Sequence, residues 1–444
     1  MLPPPVLVCS ARKLDHSVLC VLATSLGLGL LQGTACVARA QTTPPPSAAE
    51  SEAMPPRPEP VTLRGLERTR PETVLELLPR APPAHYTEAE LVEFQRRLWN
   101  LGIFDHVQLE RTPAGIEVSL REKWTLIPML DFSTGSTWKD TFLSLAASEY
   151  NFLGRAMLLT ATVWHERRGW NGMVSLTEHL YHSKRGAWGA QLEYASAELV
   201  FDDSEDAWAR MGGAALFSWQ APLPHDSRTA FQVGLGYAYE HNIDPQTRYK
   251  PPNGHQVHAE LGLTWENLRF SDFAPHGVRA KLTFAPGGFF NWHAPVPRIA
   301  AEAQLLAAWS FSAETVLASQ LMLTTVSRGN ANFSSLLGSF DGVRGLRDAF
   351  YHTWLQGVLN VELRHAFRLA DRWALQAVLF GDAAAFDRIN SRGHRSGSGW
   401  ATSTGLGVRL VPTFLAEIVL RFDAGRALWP DPGFFMQWGL SQYF

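Results

Sequence analysis

One pattern constrains this chain more than any other: long alternations with period two, in which one face is too apolar for water and the other too polar for a packed core. In AFQVGLGYAYE (230–240), Phe231, Val233, Leu235, Tyr237 and Tyr239 fall on one face, against Gln232, Gly234, Gly236 and Glu240. VHAELGLTWE (257–266) sets Val257, Ala259, Leu261, Leu263 and Trp265 against His258, Glu260, Gly262 and Glu266. LNVELRH opposes Leu359, Val361 and Leu363 to Asn360, Glu362 and Arg364, and GLGVRL opposes Leu406, Val408 and Leu410 to Gly405, Gly407 and Arg409. Successive strand side chains point to opposite faces, so these segments are strands. A soluble sandwich turns its polar face outward. A membrane barrel turns it inward around a wet lumen and closes on itself, so that no backbone edge meets lipid. Periodicity alone leaves both open.

Three features favour the membrane. The first forty residues carry Arg12 and Lys13 ahead of an apolar run from Val18 to Leu31, then Ala38-Arg39-Ala40, the order of a cleaved export signal ending near Ala40. The alternative is a short anchor, for which the run falls below the ~20 residues a bilayer needs. No later apolar run is long enough for a spanning helix. Of the 16 tryptophans, all but Trp99 and Trp124 lie after residue 125, many near segment ends, where an interfacial girdle is expected. Residues 125–444, at roughly 20 per strand with its connection, give about sixteen strands. Turn residues at Pro222–Pro224, Pro251–Pro252, Pro286–Gly288, Pro295–Pro297 and Pro430–Pro432 are expected to mark connections. The alternative is a large periplasmic β-domain.

The formal charge of −3, with 18% charged residues and no basic patch, gives no reason to expect a nucleic-acid partner. The three cysteines, Cys9, Cys20 and Cys36, all lie within the expected signal, so the exported chain would carry none. Residues 41–60, rich in proline and small polar residues, read as an extended linker. A compact unit follows over 61–123. VTLRG suggests a strand, Pro71 suits the first turn of a helix PETVLELL, and Thr87 with Glu90 forms a capping box opening a second helix. That helix places Leu91, Phe94, Leu98 and Leu101 on one face and stops at Gly102. FDHVQLE and GIEVSLRE then alternate across a turn at Pro113 to Gly115. The remainder, 124–444, is the expected barrel.

These pieces resemble a known family. In LWNLGIFDHVQLERTPAGIEVSLREK, the placement of Gly102, Phe104 and Val107 and the closing Glu122-Lys123 resembles a polypeptide-transport-associated (POTRA) domain. The barrel resembles those of the BamA/TamA outer-membrane assembly, or surface antigen, family. YNFLGRAMLL (150–159) is similar to its Asn-x-x-Gly strand motif, and RFSDFAPHGVRAKLTF (269–284) to its acidic-x-x-Pro-x-Gly segment. FDGVRGL (340–346) is similar to the Val-Arg-Gly-aromatic tip of its sixth outer loop, here Val343, Arg344, Gly345 and Leu346, and VLFGDAAAF (378–386) to the strand whose aspartate faces that tip. Leu346 stands where the family has an aromatic, so stacking at the tip is expected to be lost, and Ala383 replaces a glycine. Only one POTRA unit is present. The end of the chain, with Trp438, Gly439, Leu440 and Phe444, resembles a barrel assembly signal interrupted at Gln442.

The resemblance implies a mainly β protein: a transmembrane antiparallel barrel in the outer membrane, preceded by a small α+β POTRA domain in the periplasm. It implies partners that are unfolded or nascent outer-membrane or secreted polypeptides, a periplasmic or lipoprotein partner at the POTRA domain, membrane lipid, and neither cofactor nor metal. Arg344 then sits on a loop folded into the lumen, where a carboxylate best answers a guanidinium. Asp382, inward by parity with Gln376, is the first choice, Glu362 the second, and Glu417 and Asp423 are further inward acids. The alternative is an ordinary outer turn. Arg96 and Arg97 are expected to be solvated, as is FDDSEDAW (201–208). His179 and His182 have opposite parity in a strand, so a shared metal is not expected. No nucleophile elbow, phosphate loop or Cys-x-x-Cys occurs. Alternatives to polypeptide assembly are a dedicated secretion pore, a passive channel, a lipid-handling protein, or a barrel hydrolase whose residues scatter over strand tips.

Overall fold

The computed structural model describes residues 58–133, 142–166, 169–178, 186–201, 206–223, 226–243, 251–269, 275–291, 295–329, 333–339, 342–346, 351–370, 373–412, 414–415, 419–430 and 432–439. The expected export signal and most of the linker, and Leu440, Phe444, Glu417, His179 and His182, lie outside them. The chain first builds a small α+β unit. Strand β1 (Val61–Arg64) runs parallel to β3 (Gly115–Glu122), which pairs antiparallel with β2 (Phe104–Thr112), giving the sheet order β1-β3-β2. Helix α1 (Pro71–Leu75) is shorter than PETVLELL suggested and continues as turns toward Pro79. A helix does not readily run up to a proline, because the residue before it is pushed out of the helical region. Helix α2 (Glu88–Asn100) has the reciprocal Thr87/Glu90 capping box, buries Leu91, Phe94 and Leu98, and is followed by Gly102 at φ +71°. Ile103, Phe104 and Val107 complete the core beneath it.

Two expectations need correction here. Glu59 and Pro60 are not linker: Glu59 pairs with the backbone of Ala84 and, at 2.8 Å, with Arg111, while Pro60 accepts from the Ile116 N–H. Arg96 and Arg97 are not solvated, because both side chains are largely buried and clasp Glu93 at 2.7 and 3.1 Å. Burial alone would raise the Glu93 pKa, but the hydrogen bonds from the two guanidinium groups outweigh it and hold the carboxyl at about 2. The folded value lies below the unfolded one, so this contribution is complete above the ordinary carboxylate range and is lost as pH falls toward 2.

The rest is an antiparallel barrel. Its strands are β4 (Leu126–Ser133), β5 (Phe142–Phe152), β6 (Met157–Glu166), β7 (Gly169–Glu178), β8 (Ala187–Phe201), β9 (Asp206–Leu223), β10 (Asp226–Ile243) and β11 (Gly254–Glu266). They continue as β12 (Gly277–Phe290), β13 (Pro295–Ser310), β14 (Thr315–Val326), β15 (Ser335–Leu337), β16 (Tyr351–Ala370), β17 (Trp373–Ile389), β18 (Arg395–Pro412), β19 (Leu420–Trp429) and β20 (Gly433–Gly439). Each pairs with its successor, except that β14 pairs directly with β16 and the three-residue β15 extends that edge, so the wall has sixteen strands closed between β20 and β4.

The faces settle which solvent lies where. Leu235 is 63% and Leu406 66% exposed on the outside, while Glu362 and Asp423 are fully buried inside. A soluble sandwich would invert that arrangement, so the wall is a membrane-spanning one. Pro286–Gly288 and Pro295–Pro297 are not connections but lie within β12 and β13. Pro286 pairs with Ile299 on one side, while toward β11 the pairing skips Ala285 and Pro286 with the register unchanged, since proline has no N–H to donate.

A charge on the lipid face therefore costs more than a deletion on the lumen face. Leu379→Arg, on β17 well inside the wall, is expected to cost about 2–4 kcal/mol and to abolish heat-modifiable migration of the folded barrel on gels. Gln376→Ala, on the inner face of the same strand, is expected to leave that migration intact.

Candidate functional site

In the sixth connection at the barrel end away from the α+β unit, between β14 and β16, residues 342–346 turn into the lumen. Its tip is a tight turn in which Val343 N–H donates to Gly338 and Leu346 N–H to Val343, both at 3.1 Å. Gly345 takes φ +86°, and a Cβ there would approach within 2.3 Å of Phe435 on β20. Only glycine fits both demands. Val343 and Arg344 are fully buried, and Leu346 packs at the edge of the apolar cluster around Val343, Leu337 and Val358.

Arg344 is answered by three acids at once. Its Nε and Nη2 donate to the two oxygens of Asp382, each at 2.8 Å, a bidentate pair reinforced by its own backbone N–H at 3.2 Å. Nη1 donates to Glu362 at 2.6 Å and to Asp423 at 3.3 Å. The guanidinium lies 3.7 Å from the Phe380 ring centroid. The guanidinium thus lies on the face of a wall phenylalanine, while Leu346 packs as an aliphatic side chain in the cluster beside it.

The register explains why these groups meet. Asn360, Asp382 and Ser403 form one cross-strand row over β16, β17 and β18, and both neighbours hydrogen-bond Asp382, at 3.0 and 3.2 Å. Asn360 also holds the loop by donating to the Gly342 carbonyl at 2.9 Å. Two residues along lies Glu362, and Asp423 pairs with Gly407 on the neighbouring strand. A Cβ on Gly407 would stand 2.2 Å from the Asp423 carboxylate, so the wall is thinned where the cluster sits.

Sequence reading missed half of this cluster. Arg409 binds Asp423 at 2.5 Å and Glu362 at 3.2 Å, Arg364 binds Glu362 at 2.7 Å, and Arg421 lies 3.6 Å from Asp423. The inward parity of Arg364 and Arg409 was readable. Their height relative to Arg344 was not, because register is invisible in one strand's text. The acidic segment near 201–208 also differs from a solvated loop at its flanks: Phe201 and Trp208 are buried, stack at 5.0 Å, and Phe201 stacks on His352 at 4.0 Å. In β20, Trp438 follows the outward parity of Phe434 and Met436, and Gly439 lies on the buried inner side with Gln437.

At the opposite end the α+β unit is fastened to the wall. Inside the unit, the Glu122 carboxylate accepts the backbone N–H groups of Glu67, Arg68 and Thr69 at 2.8–3.2 Å and fixes the segment that meets the wall. Arg68 reaches Thr125 and Glu149 at 3.1 and 3.2 Å. In the β5–β6 turn, Gly154 accepts from the Arg70 N–H and the Thr73 hydroxyl, and Asn151 donates to Thr69 at 2.9 Å while accepting from the Ala156 N–H. The Asn-x-x-Gly motif is thus a docking turn. Arg96 meets the Leu268 carbonyl at 3.5 Å, six strands further round the wall, just before the segment whose Pro275, His276 and Gly277 open β12.

No protein-family model matches this sequence, and no curated protein matches it. Its fold is similar to solved barrels. BamA from Haemophilus ducreyi lacking POTRA domains 1–3 is 14% identical with a TM-score of 0.51, over 85% of this chain and 83% of that one. CdiB from Escherichia coli is 14% identical with a TM-score of 0.60, over 86% of this chain and 75% of that one. CdiB from Acinetobacter baumannii is 11% identical with a TM-score of 0.59, over 86% and 73%. At these identities the likeness is one of fold.

Removing one member of a buried pair costs about 3–5 kcal/mol where water cannot replace it. Arg344→Ala is expected to approach that range in a denaturant titration of the folded barrel in detergent. Combined with Asp382→Asn, the loss should fall well short of the sum of the two single losses, and an additive result would show that the pair is uncoupled.

Proposed function

We propose that this chain is an outer-membrane barrel that assists the insertion or translocation of other polypeptides, with residues 61–123 acting as a single POTRA domain on the periplasmic side. The observation that carries the reading is the seating of the Arg344 tip. It is held by β16, β17 and β19, and its glycine lies against Phe435 of the last strand, so a loop entering from one end of the lumen rests on the strand that closes the wall. The closing seam joins β20 to β4. An edge offered there lets an incoming strand exchange hydrogen bonds without exposing them to lipid. The fold likeness to BamA and CdiB supports the same reading.

The α+β unit supports a receiving role. Its sheet order leaves β1 and β2 as edges, where an extended polypeptide or a periplasmic partner adds a strand through backbone hydrogen bonds with little demand on sequence. One dedicated secreted partner is the second reading. The chemistry is mechanical, and catalysis by a cofactor is not part of the proposal.

Depletion of the protein followed by a quantitative census of outer-membrane and secreted proteins tests this. Loss of many barrels supports general assembly, and loss of one exported protein supports dedicated secretion. An intact census with altered solute flux would replace both with a channel.

A further inference from the structure

The lumen wall over β9 to β13, separated from β16 by β14, carries a second polar constellation that the proposed function does not use. One cross-strand row runs Leu216, Gly236, His258, Gly287, Arg298 over β9 to β13. Large and absent side chains alternate along it. A Cβ on Gly236 would stand 2.2 Å from the His258 ring, and one on Gly287 2.6 Å from the His258 Cβ, so the two glycines seat the imidazole flat against the wall. The result is a recess of about 260 Å³ lined by Gln191, Leu216, Gln256, His258 and Arg298 among others.

The polar atoms there lack partners. Among the described residues, His258 Nδ1, Arg298 Nε and Glu240 Oε2 are buried and make no hydrogen bond. Elsewhere in this lumen Arg344, Arg364 and Arg409 are locked onto carboxylates, whereas the Arg298 guanidinium lies 6.0 Å from the Phe333 ring centroid. Buried polar groups are nearly always satisfied, and a planar guanidinium beside an imidazole is the donor set that takes a carboxylate. Glu240 stands 3.8 Å from Arg210 and also faces Arg298 electrostatically, so one carboxylate serves two arginines and one positive charge is left over. That surplus suits a monoanion and disfavours a doubly charged phosphate.

We propose that this recess binds a carboxylate, held by Arg298 with His258 beside it, and that its source is an acidic side chain of a polypeptide in the lumen. The choice of source rests on the function proposed above, whereas the carboxylate site does not. The lumen then carries a docking point for passenger acids on the wall away from the seam.

Binding to the full chain in detergent micelles tests both parts, using a labelled decapeptide of alternating Glu and Ser, its Gln counterpart, and glutarate as a free carboxylate. The Glu peptide is expected to bind saturably, at least tenfold more tightly than the Gln peptide, and to be displaced by glutarate. Arg298→Gln should weaken it at least tenfold, with Arg298→Lys intermediate and His258→Asn weakened in a variant that still migrates as a folded barrel. Saturable, Arg298-dependent binding of glutarate without the Glu peptide would keep the site and overturn the polypeptide source. Equal binding of the two peptides and no glutarate binding, or no change in any of the three variants, would mean that the recess holds only water and would overturn the proposal.

Discussion

A guanidinium with no exposed surface obliges the chain around it to replace everything water supplied. Transferring such an ion from water to a protein interior costs several kcal/mol even after relaxation, and one carboxylate in imperfect geometry does not offset that. At Arg344 the replacement has three parts: a bidentate aspartate, two further acids sharing Nη1, and an aromatic face 3.7 Å beneath. Each part comes from a different place in the sequence, and none can shift by one residue without turning to the lipid side. The loop tip therefore fixes the register of β16 to β19 as much as those strands fix the loop.

The same interaction constrains the rest of the lumen. Asp423 and Glu362 each bind more than one arginine, so removing Arg344 would still leave Arg364, Arg409 and Arg421 near acids able to hold them. The cluster survives as a wall feature, and what is lost is the tie between wall and loop. Gly345 against Phe435 extends that tie to β20, the strand that closes the wall against β4. The loop tip is thereby coupled to the closing strand as well as to β16, β17 and β19.

How much of this was legible follows from what period two can and cannot say. Parity alone placed Gln376, Asp382 and Glu362 inward and Leu379 and Leu406 outward, because a strand in a two-solvent wall has no other arrangement. Arg344 stood out through the Val343-Arg344-Gly345 resemblance and not through parity. Pro286 misled because one missing N–H breaks a ladder on one side only, and the strand continues through it. Arg96 and Arg97 looked like an exposed helix face, since nothing in α2 itself reveals that Glu93 clasps both. Arg409, Arg421, Phe380 and the Gly236-His258-Gly287-Arg298 row were hidden for a common reason: each depends on the height at which one strand meets another, and that offset is set by turns and by the tilt of the closed wall.

The two ends of the barrel are held by side chains of different kinds. At the loop end, side-chain charges hold a turn whose own backbone bonds are few. At the other, one backbone pair, the Arg70 N–H to the Gly154 carbonyl, is surrounded by side-chain bonds: the Thr73 hydroxyl shares that carbonyl, Asn151 donates to Thr69, and Arg68 reaches Thr125 and Glu149. The joint to the β5–β6 turn therefore depends on residue type at Arg68, Thr69, Thr73 and Asn151, while the sheet edges β1 and β2 take no part in these bonds. Those edges are free to vary without loosening the joint, and Arg96 against the Leu268 carbonyl adds a second contact six strands further round the wall.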